Sequence, residues 1–116
     1  MKALIVTHDG DVNVLDSEFN YEEIRDVVGG YIEAVYFGPD NDHFFAYINE
    51  EGKMLDLPEN EIVTRFWYNS GARILIGDYI AGNAIFFGEV DDNGDQTDVP
   101  QDVIDCFMDI KAGKLG

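Results

Sequence analysis

The chain is predicted to be a single α+β domain, a mainly antiparallel sheet with two or three helices packed on it. Three observations predict this. The apolar residues switch along the chain between alternation and helical spacing, in the order ββαββ(β)αββα. The length, 116 residues, is that of one domain. The composition, 46% hydrophobic and 13% aromatic, is too apolar for a disordered acidic tail and is sufficient for one real core. The domain is taken as residues 1–116, with an acidic loop and a C-terminal helix at 89–113.

The elements follow in order. Residues 2–7 (Lys-Ala-Leu-Ile-Val-Thr) and 12–15 (Val-Asn-Val-Leu) flank the turn His8-Asp9-Gly10-Asp11, and Asp-Gly between β-branched runs signals a hairpin. Asn20 caps a first helix with Glu23 as its capping-box partner, and Phe19 and Ile24 stand at the staple positions. Ile24, Val27 and Val28 form its apolar face, and Gly29-Gly30 ends it. Strands follow at 31–37 and 43–48, separated by Gly38-Pro39-Asp40-Asn41-Asp42. Asn49-Glu50-Glu51-Gly52 turns into a short extended piece at Lys53–Leu55. Pro58 and Asn60 open a second helix over 60–69, which Ser70-Gly71 stops. The apolar run Arg73–Gly88 reads as two strands, 74–81 and 84–88, broken near Gly82-Asn83. Pro100 starts a last helix, capped by Asp98 or Val99, with Val103, Ile104, Phe107, Met108 and Ile110 on its buried side.

Charge limits the partners. There are 24 acidic residues against 7 basic ones, a net charge of −17. Such a surface repels phosphate backbones and anionic membranes and attracts cations and basic protein. The charge is concentrated between Glu89 and Asp109, which holds eight carboxylates and no Lys or Arg. Halophilic adaptation is the general alternative explanation of this charge. One cysteine, Cys106, excludes an internal disulfide and suits a reducing compartment. The apolar start of the chain is too short for a signal-peptide core, and no apolar run approaches membrane-spanning length. The expected location is the cytoplasm.

The acids suggest one sharp arrangement. Asp98, Asp102, Asp105 and Asp109 fall on one stripe of the last helix, about 16 Å long. Like charges at these spacings cost a helix about 0.2–0.5 kcal/mol per pair. A chain needing only solubility could scatter them; a solvated face with an N-terminal preference for Asp explains Asp98 and Asp102 but not Asp109. With Asp91, Asp92 and Asp95 in the preceding loop, the row is expected to imitate a phosphate backbone and dock on Lys/Arg-rich protein. An EF-hand-like reading of 91–102 lacks the glycine at the sixth position, where Gln96 stands, and has Asp at the twelfth. His8, His43 and Cys106 lack metal-ligand spacing. Asp42-His43 and Glu50-Glu51 are the only pairs that suggest acid–base work, and both fall in turns. No catalytic residue, metal or cofactor is therefore expected. The paired aromatics Tyr36-Phe37, Phe44-Phe45, Phe66-Trp67-Tyr68 and Phe86-Phe87 leave two outcomes open: an exposed aromatic patch or pocket, or a sheet covered on both faces.

Several segments carry a resemblance: Val28-Gly29-Gly30-Tyr31-Ile32-Glu33-Ala34-Val35, Asn49-Glu50-Glu51-Gly52-Lys53, Leu57-Pro58-Glu59-Asn60 and Ile76-Gly77-Asp78. Together with the Met-Lys-Ala-Leu-Ile opening, they resemble an uncharacterised family of small proteins, a domain of unknown function frequent in bacteriophages, plasmids and other mobile elements of Gram-positive bacteria. Glu59 departs from the second proline usual there. The resemblance implies a mobile-element setting and no known chemistry or site residue.

The expected function is an acidic phage or mobile-element accessory protein, not an enzyme. It would bind and inhibit a basic, nucleic-acid-handling host protein by mimicking nucleic acid, as anti-restriction and anti-CRISPR proteins do. It would not contact nucleic acid or membrane directly. The alternative is a nucleotide-signal binder using an aromatic pocket, which would need Arg65 or Arg73 gathered with Lys53.

Overall fold

A computed structural model describes residues 1–39 and 42–113. Eight elements follow one another: β1 (Lys2–Val6), β2 (Val12–Asp16), α1 (Tyr21–Val28), β3 (Ile32–Phe37), β4 (Asp42–Asn49), α2 (Glu61–Asn69), β5 (Ala84–Gly88) and α3 (Gln101–Lys111). The strands form one antiparallel sheet in the order β2-β1-β5-β4-β3. This is the expected α+β class, a single domain. Two local hairpins, β1–β2 and β3–β4, are joined by β5, which enters between them and pairs Ile85 with Ile5 on one side and with Tyr47 on the other.

Local chemistry explains most boundaries. Thr7 and Gly10 close the first hairpin, with Gly10 at φ 93°. Asn20 and Glu23 form the reciprocal capping box of α1, and Gly29 ends that helix in the left-handed conformation at φ 85°. The segment Gly38–Asp42 lies partly outside the described residues, as do the side chains of Asp42 and His43. Helix α2 begins one residue after its cap, Asn60.

Helices cover both faces of the sheet and bury Phe37, Phe45, Phe86 and Phe87, while Tyr36 and Tyr68 stay exposed and Trp67 half-buried, so the aromatics divide between the two outcomes. On one face α2 and α3 bury Phe37, Phe86 and Phe107 with Leu4, Val6 and Ile80. Phe66 and Phe107 rings pack at 4.5 Å between centroids, and Phe86 lies 5.0 Å from Phe107. On the other face α1 lays Ile24 and Val28 against Ala3, Phe45, Ile85 and Phe87. Every residue of β5 is buried, so its continuous apolar run is that of a strand covered on both sides.

Three expectations are corrected. Residues 74–81 are not a strand. Gly77 takes φ 87° and Asp78 N–H bonds Leu75 O at 3.0 Å, so the run folds into a turn that leaves Leu75 and Ile76 exposed. Both sides of β5 are already occupied by β1 and β4, and the segment keeps only the isolated bridge Glu59–Ala81. Lys53–Leu55 is likewise a turn, closed by Leu55 N–H to Glu51 O and Leu57 N–H to Gly52 O, both 2.9 Å. Helix α3 has no side-chain cap: Pro100 stands at the cap position. Asp98 is instead drawn to the sheet, where its carboxylate accepts Lys2 N–H at 2.8 Å.

Candidate functional site

The acidic segment is ordered but is not one stripe. Asp98 precedes the helix, so the row on α3 shortens to Asp102, Asp105 and Asp109, about 10 Å long. Asp102 and Asp105 are exposed, and Asp109 is half-buried. Gln101 donates to Asp105 at 3.0 Å, and Asp102 accepts the Val103 N–H at 3.0 Å. In the preceding loop Asp91 accepts the N–H groups of Asn93 and Asp95, both at 2.9 Å, while its own N–H bonds Asp95 O at 2.8 Å. These bonds hold Asp92 and Asp95 outward on a tight turn, with Gly94 at φ 82°. No cluster of three His, Cys, Asp or Glu side chains suited to a metal occurs among the described residues. Cys106, beside this row, has its thiol pushed up by burial and then by Asp109 and Asp102, which disfavours the reactive thiolate.

A separate concavity lies at the β3 edge of the sheet. A cleft of about 730 Å³ runs beside β3, between the end of β4 and the 72–81 segment, with Trp67 of α2 also lining it. That volume is in the range of ligand pockets, roughly 300–1,000 Å³. Glu33, Val35 and Tyr36 line one side; Asn49, Glu50, Gly52 and Lys53 come from the following turn; Trp67, Arg73, Asp78 and Tyr79 complete it. The sequence motifs explain the construction. Gly30 must lack a side chain because a Cβ there would come within 2.9 Å of Asn49 Nδ2, whose buried amide donates to Val28 O. Gly52 is buried against Ala81, and a Cβ would meet its carbonyl oxygen at 3.2 Å. Asn60 is 1% exposed; its amide donates to Val6 O and Gly82 O, both at 3.0 Å, and it accepts Val63 N–H at 3.2 Å. Parts of three segments that carry the family resemblance, 33–35, 49–53 and Asp78, thus line one cleft, while Asn60 ties α2 to β1 and Gly82.

Further bonds fix the far wall. The Ser70 hydroxyl donates to Trp67 O at 2.6 Å and accepts Gly38 N–H at 3.0 Å, pinning the end of α2 to the end of β3. The Tyr68 hydroxyl lies 2.7 Å from Asp78 O and 3.3 Å from Leu75 O, and Thr64 holds Ile80 N–H at 3.0 Å. Lys53 and Asp78 form an ion pair across the cleft end, and the Lys53 ammonium sits 4.9 Å from the Tyr79 ring centroid. The Lys53 ammonium beside Asp78 holds that carboxyl below the usual range, helped by Tyr79 N–H.

The gathering of cations that an anionic ligand requires occurs only in part. Arg73 and Lys53 share the cleft, but Arg65 lies in a separate shallow pocket with Phe66 and Cys106. Lys53 is matched by Asp78, and Glu33 and Glu50 outweigh Arg73. Sequence reasoning singled out Lys53 and Arg73 and, among the paired aromatics, Tyr36 and Trp67, but not Tyr79.

The molecule is thus a small, strongly acidic α+β domain with helices on both sheet faces and a broad aromatic cleft at one sheet edge. It belongs to the DUF3846 family, a domain of unknown function, whose pattern matches residues 1–111. No curated protein and no solved structure matches the chain. No helix among the described residues is long and apolar enough to cross a membrane.

Proposed function

We propose that this chain is a phage or mobile-element accessory protein that binds a Lys/Arg-rich surface of a host nucleic-acid-handling protein and excludes its nucleic acid. One observation carries the reading: Asp91, Asp92, Asp95, Asp98, Asp102 and Asp105 are all exposed on backbone held by hydrogen bonds. Fixed carboxylates lose little freedom on docking, and their field steers a basic partner toward them. The half-buried Asp109 extends the face, contributing charge more than contact. Inhibition needs no chemistry in this chain, only charge in the right place.

The test is competitive capture of basic nucleic-acid-binding proteins from a host lysate, at low and high salt. The wild-type chain and a variant with Asp91, Asp92, Asp95, Asp102 and Asp105→Asn are compared. Capture should fall steeply with salt, fail with the variant, and be reversed by duplex DNA or RNA. Salt-insensitive capture, or a variant that performs normally, refutes the reading.

A second reading, binding of a nucleotide-type signal, is favoured by one observation: Trp67, Tyr36 and Tyr79 stand in the same cleft as Lys53 and Arg73. Stabilisation against heat by mononucleotides or dinucleotides alone supports it. The excess of carboxylates in the lining opposes it.

A further inference from the structure

We infer that the cleft beside β3 is a strand-addition site, and that its occupant is an extended segment of a partner protein carrying Lys or Arg. The argument starts from the sheet. β3 is an edge strand, paired on one side only, with β4. Glu50 N–H bonds Tyr31 O at 2.8 Å, so the register Tyr31–Glu50 is a hydrogen-bonded pair. Antiparallel ladders alternate. Glu33 and Val35 therefore bond to β4, while the N–H and C=O groups of Ile32, Ala34 and Tyr36 point away from the sheet. Edge strands left in this state are templates for another strand unless blocked. The usual blocks are few here. The strand carries one charge, Glu33, and the irregularity in its pairing falls at Tyr36/Phe37, at its far end. Ala34, at its middle, is small and exposed.

This open edge faces a cavity rather than bulk solvent. Four consecutive residues, Glu33 to Tyr36, line the cleft, as expected where the edge backbone itself forms a wall. A segment of about four residues laid along it would span roughly 13 Å. Its far-side carbonyls would meet Arg73, a side chain with donors and no acceptor that forms no ion pair among the described residues. Its alternate side chains would lie against Val35 and Trp67 on one face and Tyr36 on the other, the arrangement by which strand addition gains specificity.

Charge selects the occupant. A second copy of this chain would bring another −17 to the same edge, and an acidic segment would face Glu33 and Glu50. A basic segment meets both carboxylates, and its cations can stack on Trp67. This site stands apart from the acidic face of 91–105 and does not require it.

The experiment uses two short blocked peptides, one of alternating Thr and Lys and one of alternating Thr and Glu, added to the intact chain. Binding is read by the fluorescence of Trp67, the single tryptophan, and by amide hydrogen exchange. With the Thr–Lys peptide, exchange at Ala34 and Tyr36 should slow by at least about tenfold, an occupancy effect of about 1.4 kcal/mol. Glu33 and Val35, already bonded to β4, should change little. Ala34→Pro removes one outward donor and should abolish binding; Glu33→Lys with Glu50→Lys, both on exposed residues, should weaken it about tenfold even if the proline variant fails to fold. The Asp91, Asp92, Asp95, Asp102 and Asp105→Asn variant should bind the peptide as wild type, which separates this site from the proposed acidic docking face. Equal binding of the Thr–Glu peptide, no protection at Ala34, loss of binding in the Asp→Asn variant, or a Trp67 response to mononucleotides alone overturns the inference.

Discussion

Replacing Asn60 with Ala should destabilise the domain more than any other single cap change. Asn60 is 1% exposed, and its side chain makes three bonds: to Val6 O, to Gly82 O and from Val63 N–H. Loss of a cap acceptor alone costs about 0.5–2 kcal/mol. The substitution also takes a donor from two interior carbonyls, each hydrogen bond worth about 0.5–1.5 kcal/mol. A total of about 1.5–5 kcal/mol is expected, a sizeable share of the roughly 5–15 kcal/mol that holds a domain folded. Asn20→Ala is the matched control, an exposed cap whose loss should cost about 1 kcal/mol. Urea unfolding followed by Trp67 fluorescence measures both. With a slope of about 1–3 kcal/mol/M, the Asn60 midpoint should fall by about 0.5–5 M. A loss no greater than that of Asn20→Ala would refute the view that Asn60 ties helix α2 to the sheet.

Other outcomes follow from the same geometry. Gly88→Ala places a Cβ within 2.3 Å of Asp98 O and 2.6 Å of Thr97 Oγ1, so it should cost at least about 1–3 kcal/mol in urea unfolding. Asp78 is depressed by Lys53 when folded, so its contribution is present above the ordinary carboxylate value and is lost as pH falls through the lower folded value. The stability difference between wild type and Asp78→Asn should therefore shrink between about pH 5 and pH 3; a constant difference across that range rules out the pairing. Added NaCl should raise the melting temperature, because screening relieves the self-repulsion of −17 on 116 residues. A flat or falling salt dependence contradicts that account.

Local signals were legible and non-local ones were not. Asn20 with Glu23, the Gly29 stop and the Asn60 cap act within a few residues, and each lies where the sequence indicates. The segment 74–81 misleads because apolar composition reports burial potential, not the availability of a sheet position. With β1 and β4 flanking β5, no pairing place remained beside it. Asp98 reads as a helix cap by proximity to Pro100, yet a donor 96 residues away, Lys2 N–H, takes its carboxylate. The cleft was beyond reach for the same reason. Its walls come from four separated segments, and only the sheet order shows that β3 is an edge strand.

The placement of β5 also sets how this sheet can assemble. The two hairpins form from neighbours in sequence, at low loop-closure cost, and share no strand pairing with each other. An isolated hairpin is marginal in water. Both must wait for Ala84–Gly88, synthesised later, to bridge them and bury its five residues at once. Cooperativity therefore passes through a single short keystone. A lesion there separates the molecule into two unstable halves instead of fraying one edge.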